Sequence, residues 1–150
     1  MSTLKARLEA DLRESMKARN ELVTSTLRMA LAAVRTAEVA GTAARELTDD
    51  EVLSVLTKEA KKRREAAEAF ATAGRSDSAD KERAEEQVLA GYLPAQLSDA
   101  EIADVVAESL ATGGFTSMAQ MGAAMKAAQA AVAGRAEGGR VAAEVRRQLA

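Results

Sequence analysis

The sequence holds no cysteine, no histidine and no tryptophan, and only one proline, one tyrosine and two phenylalanines. Without cysteine there is no disulfide, no thiolate nucleophile and no thiolate zinc site. Without histidine the commonest general base at neutral pH and the commonest metal ligand are missing. Ser-His-Asp and Cys-His catalysis are therefore excluded within one chain. A carboxylate-held metal or a lysine-based reaction stays open to composition, but no cluster suggests either, so no catalytic residue, metal ligand or cofactor is expected. So few aromatics, beside 11 valines, argue against a large sheet. No apolar run reaches the ~18 residues of a membrane span. The opening segment alternates charges with single leucines and has no apolar signal-peptide core. The expected setting is a reducing cytoplasm, with no membrane partner.

What the chain has in excess is alanine, 36 of 150 residues against 28 for Leu, Ile, Val and Phe together. Twenty-one bases and 23 acids leave a formal charge of -2, far from the high net charge of disordered chains. Alanine is the best helix former, so the balance favours ordered helix. The length fits one typical domain or two small ones.

Leu4, Leu8, Leu12 and Met16 recur every four residues and predict a helix from Ser2 or Thr3 to Asn20. Val23, Leu27, Ala30, Val34 and Ala37, flanked by Leu31, predict a second over 21–40, with Gly41 as its left-handed stop. Thr48 and Glu51 form a capping box, with Leu47 and Val52 as its hydrophobic staple, and open a third helix that ends at Gly74. A fourth spans 76–90, starting in Ser76, Asp77, Ser78 and Asp80 and buried through Ala84, Val88 and Leu89. Pro94 then breaks the pattern. Ser98 and Glu101 make a second capping box before a helix that stops at Gly113-Gly114. Ser117 and Gln120 cap a sixth helix. Val141, Val145 and Leu149 line a seventh. The expected fold is all-α: a four-helix unit over 1–92 and a three-helix unit over 95–150, joined by a proline-containing hinge.

Charge is uneven in the second half. Residues 93–112 hold four acids and no bases, whereas 113–150 hold five bases and two acids. Lys126, Arg135, Arg140, Arg146 and Arg147 supply that surplus, and Gly134 opens a turn whose backbone donors suit phosphate. These six residues are the candidate nucleic-acid site; a plain interhelical turn with surface arginines is the competing reading. Without interleaved aromatics, sequence-specific single-strand readout is not expected. Met118, Met121 and Met125, with Gly122 among them, read either as core packing or as an adaptable surface for a protein partner. The run Lys61-Lys62-Arg63-Arg64 wraps the helix circumference, and Glu59, Glu65 and Glu68 neutralise it at helical spacing. Arg63 stands in the apolar stripe, so its stem should lie on the core with its head in an ion pair. Tyr92 and Pro94 are assigned structural roles at the break.

Several stretches together resemble the GatB/YqeY family. They are Glu59–Glu65, Phe70–Asp77, Glu85–Ser98 with its Tyr-Leu-Pro-x-Gln-Leu core, the Met-Gly-x-x-Met-Lys string at Met121–Lys126, and Gly134-Arg135-Ala136. The resemblance runs over essentially the whole chain and departs at Glu137–Arg140, where an Asp-Gly-Lys-like string is common. It implies a two-part helical protein similar to the C-terminal helical and tail portion of the GatB component of the tRNA-dependent amidotransferase. The tail of that component is understood to contact tRNA. The resemblance also implies the inherited label of a carbon-nitrogen ligase with glutamine as amido-N-donor. Ammonia production, ATP binding and transfer would need parts this chain lacks. The expected activity is thus a tRNA- or other RNA-associated binding or accessory module, not an autonomous enzyme, with no DNA target. The alternative is a protein-protein interaction module.

Overall fold

The computed structural model describes residues 2–150. They form seven α-helices and one 3-10 turn, and no strand occurs among the described residues. The chain divides into two compact units, Met1–Leu93 and Pro94–Ala150.

The first unit contains α1 (Thr3–Lys17), α2 (Glu21–Glu38), α3 (Asp49–Thr72) and α4 (Ser76–Ala90). Ser2 caps α1 by accepting from the Lys5 N–H. The α1–α2 connection is very short. Asn20 N–H bonds to Ser15 O and Arg19 N–H to Met16 O, while the Asn20 side chain caps α2 through the Val23 N–H. This is the Schellman pattern, and its left-handed position, usually glycine, is occupied by Arg19 at φ 56°. The end of α2 departs from expectation. The helix stops at Glu38 with Val39 as C-cap, and Gly41 is not left-handed. Arg45 N–H instead bonds back to the Glu38 carbonyl and turns the loop.

Thr48 and Glu51 cap α3 reciprocally, and both staple residues, Leu47 and Val52, are buried. Gly74, at φ 76°, ends the hairpin helix as the pattern predicts. The start of α4 differs: Arg75 is the N-cap residue and no side chain caps the helix. Its inward residues are Ala79, Glu85 and Leu89, with Ala84 and Val88 only part-buried. The core collects Leu8, Leu27, Leu31, Val34, Val52, Leu56 and Leu89. Met16, the last member of the α1 stripe, is left 49% exposed.

The second unit holds α5 (Asp99–Gly113), a 3-10 turn (Met118–Gln120), α6 (Met121–Val132) and α7 (Gly138–Leu149). Ser98 and Glu101 form the capping box, with Leu97 and Ile102 buried as the staple. Met118 lies in the 3-10 turn rather than in α6, which begins at Met121. Ala124 and Ala128 are fully buried, so α6 presents small residues to the core. There they meet Ile102, Val106 and Leu110 of α5 and Val141, Val145 and Leu149 of α7. No helix among the described residues is long and apolar enough to cross a membrane.

Candidate functional surfaces

The six candidate phosphate contacts divide into held and free. Arg135 turns its fork onto the end of α6, donating from Nε to Val132 O at 2.9 Å and from Nη2 to Ala131 O at 3.0 Å. Those are carbonyls a helix C-terminus leaves unpaired, so the side chain completes the helix. The backbone around it is tied as well. Leu97 N–H donates to Arg135 O at 2.7 Å, and Gln96 Nε2 donates to Pro94 O and Gly134 O. Ala133 and Gly134 are both left-handed, at φ 52° and 79°. The Gly134-Arg135 turn thus docks on the segment that begins at Pro94, and Leu97 and Ala136 enter one core.

Arg140 and Arg147 line one groove with Asp99 and Glu144. Arg140 donates to Asp99 at 2.6 Å, and Asp99 is almost wholly exposed. Arg147 grips Glu144 through Nε and Nη2. That contact, helped by Gln148, lowers the Glu144 pKa to about 2. Lys126 and Arg146 are exposed and carry no carboxylate partner among the described residues. On the partner-surface side, Met118 is 48% exposed, while Met121 packs on the core and Met125 is part-buried. A Cβ at Gly122 would meet nothing within 4 Å, so that glycine faces open space.

In the first unit, Arg63 sits among three carboxylates. Its Nε lies 2.9 Å from Glu85 and 3.9 Å from Glu82, and Nη2 lies 3.6 Å from Glu59. The Arg63, Glu59 and Glu85 side chains are nearly buried, at 12, 11 and 6% exposure. Glu59 also takes Lys62 at 3.2 Å, and Nη2 of Arg63 reaches Met29 Sδ on α2 at 3.6 Å. Among the described residues, no cluster of three or more acids has metal-holding geometry. Tyr92 is clamped from both sides: its hydroxyl donates to Asp11 at 2.5 Å, and Arg7 lies 4.6 Å over its ring. Burial, and then the Asp11 carboxylate, push the phenol well above its ordinary range. At the start of α3, Asp49 accepts from Ser2, Thr3 and the Leu4 N–H, and those bonds lower its pKa to about 2.

A match to the family model of Yqey-like proteins covers residues 5–149. The chain belongs to the YqeY-like family. It is also 39% identical over 97 residues to an uncharacterized protein of Schizosaccharomyces pombe, covering 64% of this chain and 76% of the yeast protein.

One surface of this YqeY-like chain went unremarked in the sequence patterns. Leu22, Ser25, Met29, Ala32, Thr36 and Val39 are all exposed and recur at alternating steps of three and four along α2. Leu22, Met29 and Val39 are 36, 41 and 63% exposed, although they form a helical stripe opposite the core face. The same 3-4 spacing that identifies the buried face was available to find the other one. It was obscured because Ser25, Ala32 and Thr36 dilute it.

Proposed function

We propose that the protein is a helical RNA-binding or accessory module that holds backbone phosphates on the second unit, without a catalytic centre of its own. The observation that carries this is the cation set on α6 and α7. Lys126 and Arg146 are exposed with no carboxylate partner among the described residues, and Arg140 and Arg147 line one groove beside Arg146 in sequence. Their partners do not remove Arg140 and Arg147 from use, because exposed ion pairs contribute only ~0–1 kcal/mol and a phosphate can replace the carboxylate. Arg135 enters differently. With two donors committed to α6 carbonyls, it shapes the turn and offers only its remaining donors. The resemblance to the amidotransferase tail points to the same class of ligand.

The test is fluorescence anisotropy of labelled bulk tRNA against the full chain, from 50 to 300 mM salt. Contact by three or four cations predicts that log K falls with log[salt] at a slope of roughly -2 to -4. An Arg146→Ala/Arg147→Ala variant should flatten that slope by about 1–2 and weaken binding to every tRNA alike. Absent binding at 50 mM salt, or a slope near zero, refutes the reading.

A second reading, a protein-protein interaction module on the second unit, draws on half-exposed Met118 and open Gly122. A partner that binds equally after nuclease treatment and is lost in a Met118→Glu variant would favour it over RNA.

A further inference from the structure

We propose that the exposed face of α2 is a docking site for an amphipathic helix of another protein, one that carries an apolar seam flanked by acidic residues. This surface belongs to the first unit, whereas the phosphate contacts proposed above belong to the second.

Three observations converge. Among the described residues, five large hydrophobic side chains stand exposed, and four of them lie here: Met16 at the end of α1, and Leu22, Met29 and Val39 on α2 and its C-cap. A folded surface leaves single apolar side chains in water, but a set aligned on one helix marks a contact. Second, the stripe keeps heptad spacing from Leu22 to Val39, about 26 Å of helix, which is the pattern a partner helix reads as a seam. Third, one edge of the stripe is basic. Arg28 and Arg35 are one heptad apart, each directly preceding a stripe residue, and both are exposed without a carboxylate partner among the described residues. Arg19 lines one shallow groove with Met16, Glu21, Thr24 and Arg28, and it too is unpaired among those residues. Glu21 is the single acid in that groove.

The charge selects the occupant. An acidic flank on the partner pairs with Arg19, Arg28 and Arg35 while its apolar seam covers Leu22, Met29 and Val39. An antiparallel pair of two copies would set both arginine edges on the same side, so like charge opposes that arrangement. RNA would use the arginines but leave the apolar stripe in water, and no aromatic ring is present on α2 to stack a base.

The experiment titrates the full, isotopically labelled chain with three synthetic helical peptides of the same leucine heptad. Their flanking positions carry glutamate, carry lysine, or carry glutamate in a scrambled order. The glutamate peptide should shift amide resonances of Met16 to Val39 and bind at least about ten-fold more tightly than the lysine peptide. Arg28→Gln/Arg35→Gln, at exposed helix positions, should keep the circular dichroism spectrum and weaken the glutamate peptide by about ten-fold. Met29→Glu should abolish it. Equal binding of the three peptides, or no shift on α2, overturns the proposal. So does an unstructured 12-nucleotide RNA that shifts the same residues more strongly, or concentration-dependent broadening without peptide, which would assign the face to RNA or to a second copy. Because all readouts sit on the first unit, failure here leaves the tRNA titration of α6 and α7 unaffected, and the reverse holds as well.

Discussion

Replacing Arg63 with methionine removes one charge from a nearly buried site and leaves the rest of its stem in place. The wild-type site holds Glu59, Glu82 and Glu85 against Arg63, with Lys62 reaching only Glu59. Without Arg63, Glu85 at 6% exposure has no cation within 4 Å among the described residues, and Glu82 and Glu59 lie close to it. Removing one partner of a buried pair costs about 3–5 kcal/mol, because the orphaned charge keeps its desolvation penalty. The lower half of that range is expected here, since Glu82 keeps 22% exposure and the Arg63 Nε, though 2.9 Å from Glu85, lacks a well-directed hydrogen bond. A loss of ~3 kcal/mol moves a urea midpoint by about 2 M for a unit this size. Tyr92 makes the measurement specific: it is the only tyrosine, there is no tryptophan, and its ring is packed within the first unit by Arg7 and Asp11. Its fluorescence therefore reports the unfolding of that unit, while circular dichroism reports both. The decisive control is Arg63→Met/Glu85→Met, which replaces a charge pair by apolar volume and should recover all but about 1–2 kcal/mol. A single variant that costs under about 1 kcal/mol, or a double no better than the single, would refute the reading that Arg63 is held by its carboxylates.

Three further outcomes follow from backbone and charge. At Gly113 a Cβ would collide with the Phe115 ring, so Gly113→Ala should destabilise the second unit by ~1–3 kcal/mol, whereas Gly122→Ala, in open space on α6, should stabilise it by ~0.5–1 kcal/mol in thermal melts. Arg19→Gly should raise first-unit stability by about 1 kcal/mol by relieving a left-handed side chain, yet weaken the glutamate peptide; a loss of stability would contradict strain at that position. Asp49 has its pKa lowered to about 2 from an ordinary 3.8, so its contribution is complete above pH 4 and is lost as pH falls towards 2; Asp49→Asn should flatten the Tyr92-detected decline over that window.

Helix-level structure was legible because its signals are local. Both capping boxes and staples, the Gly74 stop and the inward face of α2 stand where spacing predicts them. The misses came where a distant residue decided the outcome. Gly41 has the right chemistry to end α2, but the Arg45 N–H bonds to Glu38 O and closes the loop without a left-handed glycine. Met118 shares helical spacing with Met121 and Met125, but the Ser117–Gln120 bonds set it in a separate 3-10 turn. Arg19 carries no sequence mark of its conformation at all, since arginine is unremarkable in a polar stretch until the turn around it is seen to need positive φ.

The charge patch shows why surface function is harder to read than fold. Counting gave residues 113–150 a surplus of three bases. A sum of charges, however, contains no information on what each guanidinium already touches. Arg135 faces the carbonyls of the preceding helix, because residues 131 and 132 end α6 just before it. Arg140 meets Asp99, 41 residues away, which only the packing of α7 on α5 brings within 2.6 Å. The reverse happens on α2, where Arg28 and Arg35 stand in a segment with nearby acids in sequence and yet none reaches them. Glu38 points to Lys5 at 2.9 Å, and Glu21 lies 14 residues before Arg35 on the helix. Free cations are thus a property of the folded surface. On that criterion the unpaired arginines beside Leu22, Met29 and Val39 form as strong a candidate for recognition as the basic tail that the composition singled out.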